Sequence, residues 1–382
     1  MSESVHRIRI IFLVTLPLVG VLAVIFLLWQ QYVFPSDIIL LVSLYVLTAM
    51  GITVGYHRML THQGFESSQI LRAFFLILGC MAFEGKPSDW AATHIKHHAH
   101  SDDEGDPHSP LEGFWHAHFG WLFSKSNFGL VAEYAPQLLH DRTVRFVDRT
   151  FVLWMALGLA IPGILGGWTG FLWGGLARVF LVNHITWSVN SVCHCFGKRP
   201  FETTDESRNE WVVGLLALGE GWHNNHHAFP RNAFHGMRWW QFDLSGIVLH
   251  SFERVGLIWN VQRVSPETVL AHAAKTETTR ETLERLREEV KQTVASAKHE
   301  LAVFLSKPFQ SELLEQQLSE AVSSCKQAMI RLEEIQQRIS HAHHLRKQRL
   351  LAYRNEVMGI LTEAKTKMQD IKHIQWNGAQ RV

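Results

Sequence analysis

Thiols are scarce in this chain. Its four cysteines, Cys80, Cys193, Cys195 and Cys325, form no CxxC pair, so the sequence indicates neither a disulfide framework nor a thiolate zinc site. Iron–sulfur chemistry loses its usual ligands for the same reason, and reduced cytosolic thiols are the reading that remains. Net charge is equally scarce: 36 Lys and Arg against 35 Asp and Glu leave a formal +1. That excludes a global electrostatic footprint for nucleic acid. No HExxH occurs, which removes the zinc-peptidase arrangement of two ligands and a glutamate base. The carboxylate-rich pattern of soluble four-helix di-iron proteins is missing as well.

Charge is also nearly absent from long stretches before about residue 260, where most of the 14 tryptophans and 23 phenylalanines lie. Ile8–Leu28 is apolar apart from Arg9 and is about the length that spans a hydrocarbon core. A signal peptide is the competing reading, but the apolar run is long and no small-residue cleavage site follows. Ile38–Tyr56 is a second span that ends at His57, and Phe151–Trp168 and Phe171–Val189 form a second pair around GGWTG. Ile70–Phe83 is shorter and carries Arg72, which suits an interfacial or half-inserted helix. The fold expected is an all-α membrane protein with four transmembrane helices and a cytosolic helical cap. Neither outer turn, Gln30–Asp37 or Gly166–Gly170, carries Lys or Arg, whereas Arg58–Arg149 and both ends of the chain do. The positive-inside rule then places both termini and the central loop in the cytoplasm.

Histidine is the abundant functional group. WAATHIKHH carries His94, His97 and His98 at i, i+3 and i+4, one face of a helix. Alone this triplet fits either a metal site or a solvated helix face. WHNNHH repeats the spacing at His223, His226 and His227, which favours metal. YHRMLTH adds His57 and His62, five apart and so not on one α-helical face; NSVCH adds His194, with Asn190 one turn earlier. Nine imidazoles exceed the needs of one four- to six-coordinate ion and suit two, with positions left for water, oxygen or substrate. Imidazole suits iron, zinc and copper alike. A metal pair facing a membrane points to chemistry on a lipid chain, and unactivated carbon requires a redox metal and oxygen, which favours iron.

The stretches GYHRMLTHQGF, WAATHIKHHAHSDDEGDPH, TWSVNSVCHCFG and GEGWHNNHHAFP resemble, in order and spacing, the membrane fatty acid desaturase family, specifically its acyl-CoA delta-9 branch. The resemblance covers roughly residues 10–260. It implies a cytosolic cap holding two irons on His57, His62, His94, His97, His98, His194, His223, His226 and His227, with Asn190 acting through a bound water. It also implies that Thr186 and Trp187 line an acyl tunnel at its bend and that Lys125 meets a CoA headgroup. Ala92–Thr93 replaces an arginine–aspartate pair of the animal enzymes, so part of that headgroup contact is absent. CoA, acyl carrier protein and glycerolipid all stay open as carriers. The reaction implied is oxygen-dependent removal of two hydrogens from adjacent methylenes. No HPGG or GxGxxG stretch is evident, so electrons are expected from a separate donor of the ferredoxin, cytochrome b5 or flavin reductase type.

Two rivals stand beside this reading: a di-iron lipid or alkane hydroxylase, and a histidine-rich membrane metal transporter. The second predicts ligands midway through the spans, whereas these histidines sit at cytoplasmic ends and in loops. His116 and His118 read as packing groups, and the loop SDDEGDPHSP, with His100 and His108 at its edges, reads as a solvent-exposed turn. Trp239–Trp240 and the stretch after them read as an interfacial helix. From Ser265 the composition turns polar, and residues 265–382 read as a soluble, amphipathic, coiled-coil-like helical extension. Self-association, docking and a passive tail all fit that extension.

Overall fold

The structure, a computed structural model, describes residues 3–124 and 129–273 together with scattered positions beyond 273. The chain divides into two compact units, Met1–Ala273 and Ala274–Val382. The described positions of the second unit are helical; most of the expected coiled-coil-like extension lies outside the described residues.

The first unit runs α1 (Glu3–Trp29), α2 (Pro35–Met50), a π-helical segment (Gly51–Thr61), β1 (Glu66–Ser67), α3 (Gln69–Met81) and α4 (Pro87–His100). It continues through α5 (Phe114–His118), α6 (Val131–Tyr134), α7 (Arg142–Arg149), α8 (Phe151–Gly170) and a second π-helical segment (Phe171–Ala177). Then come α9 (Arg178–Cys195), α10 (Trp211–Leu216), α11 (His223–Ala228), α12 (Leu244–Arg254) and β2 (Ile258–Trp259).

Three described helical stretches are long and apolar enough to cross a membrane: Ile10–Trp29, Pro35–Thr61 and Phe151–Cys195. The third differs from the two separate spans expected over 151–189. It is 45 residues long, about 67 Å at 1.5 Å per residue, more than twice a hydrocarbon core of about 30 Å. Its helical geometry breaks at Gly167 (φ 63°, ψ −151°), a conformation open to glycine and strained for other residues. Beyond the break the chain folds back: a Cβ on Gly170 would lie 2.4 Å from the Pro162 carbonyl oxygen. Tyr32, between α1 and α2, stacks on Trp168 at 5.6 Å, so the two lysine- and arginine-free turns meet.

Arg178 fastens this hairpin to α3. It is fully buried and donates to the carbonyls of Met81, Gly158 (2.7 Å) and Gly174 (3.1 Å). Pro162 lies four residues after Gly158 and has no N–H to donate, so Gly158 needs another partner. Met81 ends α3, where carbonyls lack helical donors. One guanidinium satisfies both.

The two-residue strands pair antiparallel, Glu66 with Trp259 and Ser67 with Ile258. The Glu66 carboxylate accepts from the Trp259 indole and the Asn260 amide, both at 3.0 Å. This ties the chain after His62 to the segment that follows α12. The main core lies between the first π-helical segment and α3, α4, α7 and α12, through Ile52, Val54, Tyr56, Leu76, Ala91, Val147 and Leu249. Gly51 and Gly79 let the π-helical segment and α3 approach closely: a Cβ on Gly51 would sit 2.2 Å from the Gly79 nitrogen.

Candidate metal centre

The π-helical segment explains His57 and His62. Residues five apart diverge on an α-helix. Instead the helix widens, so that the His62 N–H donates to the His57 carbonyl at 3.1 Å, an i to i+5 bond. The two rings end 4.8 Å apart. Such widened turns cluster at functional sites. α4 presents His94 and His98 toward this pair and His97 away from it, while α11 presents His226 on one side and His223 and His227 on the other.

The nine imidazoles therefore form two groups. His57, His62, His94, His98 and His226 converge in one, and His97, His194, His223 and His227 in the other, with nitrogens within 4.8 Å of one another in each. In the first, Nε2–Nε2 separations are 3.1 Å for His57–His226, His62–His94 and His94–His98, and 3.0 Å for His98–His226. In the second they are 3.0 Å for His194–His223 and His223–His227. Nitrogens about 2.1 Å from one cation, at right angles, lie about 3.0 Å apart.

Protons decide whether a cation fits. His194 Nδ1 lies 2.8 Å from Asp102, His227 Nδ1 2.6 Å from Asp205 and His97 Nδ1 3.0 Å from Asp106. In a neutral imidazole a carboxylate on Nδ1 places the proton there and leaves Nε2 as a lone pair. Both His194 and His227 then face His223 Nε2, which has one proton to give and two lone pairs to satisfy. His97 Nε2 is buried with no hydrogen-bond partner. A cation in their midst satisfies all of these nitrogens, so the donor set fits a metal. Burial first, and repulsion between neighbouring imidazoles second, push His62, His94, His98, His223 and His226 well below the ordinary imidazole range. They are neutral near physiological pH, the form that binds metal.

Four carboxylates that sequence reasoning passed over hold these rings. Asp102 and Asp106 lie in the loop expected to be solvent-exposed, yet they are 1% and 4% exposed. His108, expected in solvent, is buried 4.3 Å from the His97 ring, and His100 is half-buried beside Tyr134. For Asp102, Asp106 and Glu220 the signal was their position beside the histidine motifs, in SDDEGDPH and GEGWHNNHH; Asp205 lies in neither stretch. Asp205 is gripped by the Thr203 hydroxyl (2.8 Å) and the Ser207 N–H (2.9 Å). Burial alone would raise the Asp205 carboxyl, but the facing His227 imidazole outweighs it and holds the group below the usual range.

Glu220 does this for the first group. Its Oε2 lies 2.6 Å from His57 Nδ1 and 3.2 Å from His235 Nδ1, and its Oε1 accepts two Arg58 N–H bonds at 3.1 Å. Arg58 also reaches both oxygens of Asp243 (3.0 and 3.1 Å) and the Ala233 carbonyl. His235 is 1% exposed and its ring lies 4.6 Å from that of His226.

The other expected residues are placed as follows. Thr186 lines an apolar cavity with Tyr45, Ala49, Ile52, Val182 and Val189, and Glu220 closes part of its wall. Trp187 is buried and is not among the residues lining that cavity; it shares the Glu84 carboxyl with Trp90 and Thr186. Trp90 in turn stacks on His94 at 5.0 Å. Asn190 is half-buried one turn before His194 and makes no hydrogen bond to the nine imidazoles. His118 bonds Ser191 (2.9 Å) and His184 (3.0 Å), and His116 lies 3.4 Å from Glu112; neither joins the two groups. Lys125 lies outside the described residues.

A sequence profile of the fatty acid desaturase family matches residues 36–246. The chain is 40% identical over 268 residues to a hex-5-enoyl-(acyl-carrier protein) acetylenase of Moorena producens, covering 65% of this chain and 83% of that protein. It is 41% identical over 215 residues to an sn-1 stearoyl-lipid 9-desaturase of Anabaena variabilis, covering 56% and 79%. It is 42% identical over 215 residues to an acyl-CoA C20 Delta5-desaturase of Anemone leveillei, covering 56% and 69%. With a family match over more than half its length and relatives at this identity, the chain belongs to the fatty acid desaturase family.

Proposed function

We propose that this protein introduces a double bond into a long fatty acyl chain at a di-iron centre held by the nine imidazoles, with Asn190 reaching one iron through water. The specific reading is delta-9 desaturation of an acyl-CoA. The observation that carries the proposal is the position of Glu220, which belongs at once to the wall of the apolar cavity and to the hydrogen bond that orients His57. A chain passing along this wall would lie beside the five-imidazole group.

The chemistry a bound iron pair supplies is reduction of dioxygen to two waters, with two electrons from the two C–H bonds and two from a separate donor protein. The chain's own residues do the rest. Val182, Ile185, Val189, Ala49 and Ile52 offer no hydrogen bond, so they hold a methylene chain by shape and exclude water. Thr186 spends its hydroxyl proton on the Val182 carbonyl at 2.9 Å, which leaves its methyl and one oxygen lone pair for the cavity. Register along this wall selects the bond that reacts, because position rather than intrinsic reactivity distinguishes one methylene from the next. Asp102, Asp106, Asp205 and Glu220 keep Nε2 of their imidazoles unprotonated and aimed inward.

The reversal at Gly167 supports four crossings rather than three, and the basic residues of Arg58–Arg149 support a cytoplasmic centre with both termini on that side. Lys125 is proposed at the acyl headgroup and Trp187 at the bend of the acyl site. The segment beyond 265 is proposed as a docking or self-association element.

Expression in a host lacking the activity, followed by fatty-acid analysis, tests the reading. The expected result is a new monoene with the double bond at carbon 9, abolished by His98→Ala. A hydroxylated product, or equal product from the variant, refutes desaturation at this centre. The relatives are named for acyl-CoA, stearoyl-lipid and acyl-carrier-protein substrates, so supplying the chain on each carrier to purified protein decides the carrier.

A further inference from the structure

We infer that the two imidazole groups hold metal unequally, the four-imidazole group being the tighter although it has one ligand fewer. The inference rests on the reading that both groups bind iron.

The asymmetry lies in the charge behind the ligands. In the four-imidazole group, three of four rings have Nδ1 on a buried aspartate: His97 on Asp106, His194 on Asp102 and His227 on Asp205. None of these three carboxylates pairs with a described Lys or Arg. Their remaining partners are neutral or lie within the same cluster: the Glu206 N–H on Asp102 (2.7 Å), the Asp102 and His108 N–H groups on Asp106 (2.8 and 3.1 Å), and Thr203 and Ser207 on Asp205. Three uncompensated negative charges therefore stand one imidazole away from the cation.

The five-imidazole group has one such carboxylate, Glu220 on His57, and that charge is already engaged. Both Arg58 bonds fall on Oε1, and His235 shares Oε2 with His57. Arg58 is 1% exposed and also binds both oxygens of Asp243, so the Glu220–Arg58–Asp243 triad sets one net negative charge behind this group against three behind the other. Each group holds one ring whose buried Nδ1 has no partner, His226 here and His223 in the other, so the carboxylates make the difference. An extra neutral imidazole adds a dipole; three aspartates add three charges and three fixed ring orientations. Removing a single orienting carboxylate typically weakens metal binding about 10–100-fold.

The test is stepwise metal release from the full-length, Fe(II)-loaded protein in detergent, dialysed against rising chelator concentrations, with iron per chain counted by mass spectrometry. The expected result is two steps of one iron each, separated at least about tenfold in chelator. Asp205→Asn should shift the later step about 10–100-fold earlier and leave the first unchanged, whereas Glu220→Gln should leave the later step in place. Asp102→Asn is the second variant should Asp205→Asn not fold, judged by circular dichroism before chelation. A single step releasing both irons, or an Asp205→Asn effect confined to the first step, overturns the inference. Fewer than two irons in active protein sinks the di-iron reading beneath it. Two-step release from protein that forms no alkene sinks desaturation alone and leaves the asymmetry standing.

Discussion

Glu84 provides the sharpest quantitative test of the site's surroundings. It sits between α3 and α4, partly buried, with Trp90, Thr186 and Trp187 on its carboxyl. The Asn183 amide nitrogen, oriented to satisfy both ends of its side chain, donates to Glu84 Oε1 at 3.2 Å. Burial pushes the Glu84 carboxyl up from 4.5 to about 8, against the lowering effect of those hydrogen bonds. At pH 7 the folded protein therefore holds a neutral acid that the unfolded chain would ionise. Thr186 already donates to Val182, so its oxygen can accept the acid's proton. The stability linked to this group is complete below pH 4.5 and is lost as pH rises through the folded value near 8. Glu84→Gln keeps the acceptor oxygen and supplies an N–H for Thr186, but cannot ionise. The variant should gain about 1.4 kcal/mol per pH unit across that window, about 3 kcal/mol at pH 7. Water reaching the partly exposed carboxyl makes this an upper bound. At about 2–4 °C per kcal/mol, the shift at pH 7 is about 6–12 °C in Tm. Thermal unfolding of both proteins in detergent at pH 5, 6, 7 and 8 measures it. A gap that does not widen with pH, or a variant less stable at pH 8, refutes the neutral-acid argument.

Three further outcomes follow from the same geometry. Arg178→Met should destabilise by about 2–6 kcal/mol, because the carbonyls of Met81 and Gly158 lose their donor away from water; thermal inactivation measures the loss, and a change within error removes Arg178 as the fastening of the hairpin. Gly167→Ala should cost about 1–3 kcal/mol, since φ 63° with ψ −151° is strained for alanine; an unchanged Tm would mean the turn relaxes freely. On the proposed di-iron reading, His223→Ala should remove metal from the four-imidazole group while the other keeps its own, so metal analysis should find about half of the wild-type content; full retention would break the grouping.

The motifs made the nine histidines, their order and their apolar setting legible without coordinates. Sequence spacing also placed His94 and His98 one turn apart, and it placed a turn within GGWTG, where Gly167 breaks the helix. It did not reveal that His57 and His62 converge, because a π-helical bond is a choice between i+4 and i+5 that packing against α3 decides. Nor did it reveal Asp102 and Asp106 as buried partners, since acids in a loop rich in Ser, Gly and Pro have the composition of a solvated turn. Local composition reports what a residue prefers; only the fold reports what surrounds it.

What the sequence determined by itself is the ligand inventory and the apolar stretches long enough to carry it, because imidazole count and hydrophobic length are properties of the chain. What only the tertiary structure decided is the division into five and four, the carboxylate behind each ring, and the guanidinium that answers Pro162. Those depend on which faces of α4, α9 and α11 meet. Residues as far apart as His57 and His226 become neighbours only when the helices between them have packed.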